Sequence, residues 1–137
     1  MSIVKLLAST ILALISATAI AQSTKVVVIP LGGGNEMTVI TASINANVTV
    51  ARSNDTGLSV NRDGSLGVGD YVITTSTDIS SCAYTATLGT ASSGAGPLNG
   101  QITARPSTSG NNALYIRTSD SSGVKANKPF HVIIMCG

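Results

Sequence analysis

His131 is the only histidine in the chain, so a serine hydrolase of the Ser-His-Asp kind would have to be built around it. Such an array needs His131, one of the many serines and an acid such as Asp120 to converge, with the imidazole relaying the serine proton. No Gly-x-Ser-x-Gly elbow accompanies it. His131 stands between Phe130 and Val132, and the expectation is a strand residue facing solvent or a turn. We therefore read the chain as not an enzyme. Asp55, Asp63, Asp70 and Asp78 could between them suggest calcium, which takes several oxygen ligands. Their spacing fits no calcium loop, however, and each falls where a turn favours Asp. Gly32, Gly33 and Gly34 lack the following Lys-Ser/Thr pair of a phosphate loop and read as a hinge. The residues call for no cofactor and no metal.

Cys82 and Cys136 are the only cysteines. Their separation rules out a CxxC redox pair or a zinc ribbon and leaves a disulfide as the natural reading. Closing a loop of that length stabilises by about 4 kcal/mol in the chain-entropy model. With no Trp, sugar stacking would fall to Tyr71, Tyr84 or Tyr115. Tyr71 and Tyr115 are the candidate ligand contacts, although alternation with apolar neighbours favours core or rim packing for each. A polar hydrogen-bonding site in the 89–100 loop is the other place for a sugar. Asn47-Val48-Thr49 and Asn54-Asp55-Thr56 match the N-glycosylation pattern, which such a Thr- and Asn-rich chain also produces by chance.

These groups must be carried by an exported domain. Lys5, the apolar run Leu6 to Ile15 and the Ala19-Ile20-Ala21 exit form the three parts of a signal peptide over residues 1–21. The run is shorter than the roughly 20 apolar residues of a spanning helix, and no later segment is long and apolar enough. The expected location is periplasmic, cell-surface or secreted. The remaining 116 residues carry a formal charge of +1, and their Arg and Lys are scattered. Nucleic acid, which needs a concentrated basic surface, is excluded as the main partner.

The pattern of the mature part is β throughout. Lys25 to Leu31 is a β-branched apolar run. Met37 to Ala42 is a second strand or a short connecting helix. Ile44, Ala46, Val48 and Val50 alternate with polar neighbours, which predicts a half-buried strand. Further strands are expected around Leu58 and Val60, at Tyr71–Thr75, at Cys82–Leu88, at Gln101–Arg105, at Leu114–Thr118 and at Phe130–Cys136. Turn residues separate them, with Asp63-Gly64 as one hairpin turn. Short strands at this spacing indicate an antiparallel β-sandwich, jelly-roll-like or immunoglobulin-like. The expected division is a leader (1–21), an N-terminal strand with its glycine hinge (22–43) and a sandwich domain (44–137). The disulfide should tie the terminal strand onto a central one.

Several segments, in order, carry a resemblance. They are Ala51-Arg52, Leu58-Ser59-Val60-Asn61-Arg62, Gly69-Asp70-Tyr71-Val72-Ile73, Asp78 to Tyr84, Tyr115 to Gly123 and Pro129-Phe130-His131-Val132. From Ala46 to Cys136 the chain resembles the C-terminal β-domain of phage tail-fibre proteins and of exported bacterial proteins. The resemblance implies a compact sandwich used as a surface module, sometimes trimeric in fibres, without catalytic activity. The chain departs from the phage version in having a leader and lacking a fibre shaft.

The expected function is thus structural or adhesive, with carbohydrate binding as the alternative. A surface protein or glycan is the expected partner. Val26, Val27, Val28, Ile29 and Leu31 form a candidate assembly strand, whose donation to a neighbour's sheet edge would give a homo-oligomer. Pairing within its own sandwich is the competing arrangement.

Overall fold

The computed structural model describes residues 27–31, 35–62, 67–93 and 98–137. The leader, Val26, the three glycines at 32–34 and the Asp63-Gly64 turn lie outside the described residues. Nine strands run through the rest: β1 (Val27–Leu31), β2 (Asn35–Ile44), β3 (Val50–Ser53), β4 (Ser59–Asn61), β5 (Asp70–Thr74), β6 (Ala83–Leu88), β7 (Gln101–Pro106), β8 (Ala113–Ser119) and β9 (Phe130–Cys136). The described residues contain no helix, so the all-β reading is correct and Met37 to Ala42 is a strand.

Two antiparallel sheets make the sandwich. One has the order β1-β2-β9-β6, with β3 sharing the β2 edge used by β1; the other has the order β4-β5-β8-β7. Period-two alternation decides which side chains lie between them. Ile40, Ala42 and Ile44 of β2 and Phe130, Val132 and Ile134 of β9 face Tyr71 and Ile73 of β5 and Leu114 and Ile116 of β8. The Tyr71 and Phe130 rings meet edge to face with centroids 5.1 Å apart, a geometry that aligns a ring's positive edge with a negative face. Leu58 and Ile79, from connecting segments, complete the same cluster.

The segment expected as a strand from Ile44 to Ala51 is instead the end of β2, a turn and the start of β3. Ile44 pairs with Val50 after a register shift. The turn is closed by Asn45 N–H donating to Thr49 O (2.9 Å) and Val48 N–H donating to Asn45 O (3.1 Å). Val48 there has φ 70°, the left-handed region where a β-branched residue is strained. Asn-rich turn chemistry, with Asn45 Nδ2 and Asn47 Oδ1 both bonded to Thr49 Oγ1, holds it. The polar residues in this alternation were turn formers, which a period-two count does not distinguish from an exposed strand face.

Where β1 ends along β2 and before β3 begins, Asn54 fills the gap. Its backbone N–H donates to Thr41 O (3.2 Å), its Oδ1 accepts from Thr41 N–H (2.7 Å) and its Nδ2 donates to Val39 O (2.8 Å). The side-chain amide thus acts as one more ladder residue. Its hydrogen-bonding groups are engaged there, whereas Asn47 sits exposed at the turn tip.

The disulfide is present between Cys82 and Cys136, with Cα atoms 4.4 Å apart. That spacing matches a directly opposed pair without mutual hydrogen bonds on adjacent antiparallel strands, in line with the Ala83–Met135 register beside it. The strand it secures differs from the expectation. β9 is the interior strand, hydrogen-bonded to β2 and β6, and β6 is the one at the sheet edge. The bond therefore ties an edge strand to the centre. Val132 and Ile134 are held in the core by β2 as well, and Ile133 already faces outward, 40% exposed.

β1 pairs with β2 of its own chain, from Val27 opposite Val39 to Leu31 opposite Asn35. The candidate assembly segment is therefore self-paired along one edge. Pro30, which cannot donate, is tolerated because β1 lies at the edge. The expected 43/44 division falls inside β2, whose residues 38–44 are paired with β9.

Candidate functional site

Among the described residues, the polar side chains that meet across strands form two groups, one on the outward face of each sheet. On the four-stranded sheet the organising residue is Asp70, at the start of β5. The neighbouring Gly69 has φ 81°, and its backbone packs so closely on the Thr118 carbonyl that a Cβ could not fit. Asp70 is 2% exposed. Its register partner is Arg117 on β8, and Tyr115 lies two residues earlier on the same face. Tyr115 Oη donates to Asp70 Oδ1 (2.6 Å), Arg117 Nε donates to the same oxygen (2.8 Å) and Lys125 Nζ donates to Oδ2 (2.7 Å). Arg117 also donates from Nη2 to the Tyr115 hydroxyl (2.7 Å), and the Arg105 guanidinium lies 4.1 Å from the Tyr115 ring centroid.

Burial pushes the Asp70 carboxyl up, but the hydrogen bonds from Lys125, Tyr115 and Arg117 outweigh it and hold it at about 2. Burial, then the Asp70 carboxylate, raises the Tyr115 phenol. The same carboxylate raises Arg117. The Asp70 carboxylate and the Tyr115 hydroxyl are thereby matched inside the molecule, as burial requires, while Arg117 and Lys125 stay nearly half exposed.

The outward face of the five-stranded sheet is different. Register sets Arg52, Ser43, His131 and Thr87 in one row across β3, β2, β9 and β6. Ser43 Oγ and His131 Nδ1 are 2.7 Å apart. The imidazole lies against the backbone of Gly89, where a Cβ would stand 2.5 Å from Nε2. Gly89 is thus needed for close approach to the ring. A groove of about 470 Å³ opens beside this row, lined by Thr41, Ser43, Arg52, Asn54, His131 and Ile133 among others. Arg52 makes one long side-chain hydrogen bond, Nη2 to Ala91 O at 3.4 Å.

The expected site residues can now be placed. Tyr71 is fully buried in the core, with its hydroxyl directed at the carbonyls of Ala46 and Lys128, so it is not a ligand contact. Tyr115 is 6% exposed and spends its hydroxyl on Asp70, which removes it from that role too. Tyr84 packs against the core. His131 faces outward from its strand, half-buried. Asp120 accepts from Ser122 and Val124 N–H within its own turn, while the His131 bond is to Ser43.

Asp78 accepts from Ser80 N–H, and the Ser80 hydroxyl followed by that N–H lowers its carboxyl. Asp55 accepts from Gly57 and Ser76 N–H. Both are turn carboxylates as expected, and Asp63 lies outside the described residues. Asp70 is the exception, a strand residue with three side-chain partners. Among the described residues no three His, Cys, Asp or Glu side chains gather into a metal site, and no helix there is long and apolar enough to cross a membrane.

Ser43 and Arg52 were not anticipated. Ser43 carries a signal, since it alternates with the apolar Ala42 and Ile44, but period two from Val50 would turn Arg52 inward, and only the register shift brings it to the outer face. Without the β2 boundaries and the register shift, nothing joins those positions to His131. No protein-family model, curated protein or solved structure matches the chain.

Proposed function

We propose that the chain is an exported, non-catalytic β-sandwich module with a structural or adhesive role at the cell surface or in the extracellular space. A disulfide belongs to oxidising compartments, and the leader-like N-terminus and the resemblance to fibre-end domains agree with it. The observation that carries the reading is the row of Arg52, Ser43 and His131 beside an open groove on a sheet whose register and edge are fixed by β9 and Asn54. Groups held by paired strands lose little freedom on binding, which favours recognition by a preformed surface.

The imidazole argues against hydrolysis. A triad histidine joins serine through one nitrogen and an acid through the other, whereas Nε2 here lies against Gly89. Carbohydrate binding is the second reading, favoured by the groove's hydroxyl, imidazole and guanidinium groups around the aliphatic Ile133. A surface protein or glycan is the partner class; nucleic acid is not. Assembly by strand addition would use the β1 edge that faces away from β2.

Labelled residues 22–137 applied to whole cells and to purified surface polysaccharide test the module. Saturable retention on either is expected, and its absence from both would overturn the reading. Native mass of the same protein with and without residues 22–34 tests assembly. A monomer in both cases would remove it.

A further inference from the structure

Among the described residues that line the groove, Arg52 carries the one formal charge, and no Asp or Glu is present. The nearby Asp55 is 5% exposed and accepts backbone N–H bonds on both oxygens, so it does not neutralise Arg52. A guanidinium carries five donors in a planar fork suited to a carboxylate. Among the described residues the one side-chain bond of Arg52 is that to Ala91 O at 3.4 Å, and the rest of that fork is offered to a ligand.

Strands lie about 4.8 Å apart, so Arg52 and His131, two strands removed, present their Cα atoms about 10 Å from each other across the groove. Ser43 stands between them. With one of its capacities committed to Nδ1, its hydroxyl keeps the complementary one, donor or acceptor, for a ligand hydroxyl. Thr41 and Ile133 occupy the next row, directly opposite each other. They offer one more hydroxyl and an aliphatic wall that is 40% exposed.

We propose that this groove binds a carboxylate-bearing sugar unit of an acidic polysaccharide. Arg52 pairs with the carboxylate, Ser43 and Thr41 bond ring hydroxyls, and Ile133 covers an aliphatic C–H face. The inference rests on the binding-module reading above and names its ligand class. An acidic peptide fits less well. The backbone groups flooring the groove are engaged in the β2–β9 ladder, so a peptide main chain finds no strand edge there. A hydroxyl-rich ligand needs only side chains.

The experiment is calorimetric titration of the full mature protein with trigalacturonate, its methyl ester and a triglutamate peptide. Trigalacturonate should bind at least tenfold more tightly than either of the others. Arg52→Ala should lose at least tenfold of that affinity and Arg52→Lys should recover part of it. Ser43→Ala should lose about threefold, and Arg105→Ala, on the opposite face, should change nothing. Melting curves of each variant establish that it is folded. Equal binding of acid and ester, equal binding of the peptide, or full affinity in folded Arg52→Ala would each overturn the proposal. Retention on cells without trigalacturonate binding would sink this inference and leave the module standing. Loss of retention altogether would sink both.

Discussion

On the four-stranded sheet, the outward Asp70 carboxylate is met by three side-chain donors within 2.8 Å. On the five-stranded sheet, the outward Arg52 has one weak partner among the described residues, and Ser43 and His131 have each other. Both faces use the same device, cross-strand neighbours set by register. They differ in whether the polar capacity is consumed inside the molecule. A network centred on a buried carboxylate fixes the sheet, and its two cations, though nearly half exposed, already answer Asp70. An unconsumed row leaves stability to the core and keeps its bonds for a partner. The burial of Asp70 marks a structural role for its face, and the row of Arg52, Ser43 and His131 is where the proposed ligand would sit.

The comparison can be broken at the covalent tie first. Only the five-stranded sheet is stapled, and replacing Cys82 and Cys136 by serine should lower unfolding free energy by about 4 kcal/mol in denaturant titration. A loss below about 1 kcal/mol would mean that β6 is held without the bond. Next comes the Asp70 network. Asp70→Ala should cost about 2 kcal/mol, because it leaves the buried Tyr115 hydroxyl without its acceptor and removes the carboxylate that Arg117 and Lys125 answer, while groove binding is untouched. Altered binding in that variant would show the faces to be coupled.

The same carboxylate gives a pH signature. Its folded value of about 2 lies below the ordinary 3.8, so the stabilisation is present above pH 3.8 and is lost as pH falls through 2. It amounts to about 2 kcal/mol. Denaturant midpoints at pH 5 and pH 2 should reveal it in the native chain, and Asp70→Asn should lack that share of the slope. Smaller again, Val48→Gly should relieve the left-handed strain at the β2–β3 turn and raise stability by about 0.5 kcal/mol. Least of all, Ser43→Ala should change stability by no more than about 0.5 kcal/mol, measured by the same titration. A large loss there would place the open row among the structural networks.

Much of the frame was legible because alternation and turn residues are local. Cys82–Leu88 follows from Cys82, Tyr84, Ala86 and Leu88 at every second position, and Phe130–Cys136 and the strand containing Tyr71 follow from short β-branched and aromatic apolar runs bounded by turn residues. The sandwich follows from their number. The cysteine pairing followed from there being two. What escaped depends on long-range register. The Ile44–Ala51 alternation hid a turn, because Asn and Thr serve equally as strand surface and turn former. Asp70 reads as one more turn carboxylate until β8 is laid beside β5. Ser43 and Arg52 lie on a hairpin whose bulge is invisible in the sequence, and His131 is 88 residues from Ser43. No local pattern measures that distance.

The placement of β9 also sets which contacts must wait for one another as the chain folds. β2 and β6 lie far apart in sequence and are joined only through β9, so the five-stranded sheet closes only when three distant segments meet. The β4–β5 and β7–β8 pairs join strands that are consecutive in the chain, and such local pairings form faster than distant ones. Closure of the five-stranded sheet is therefore the slow step of folding.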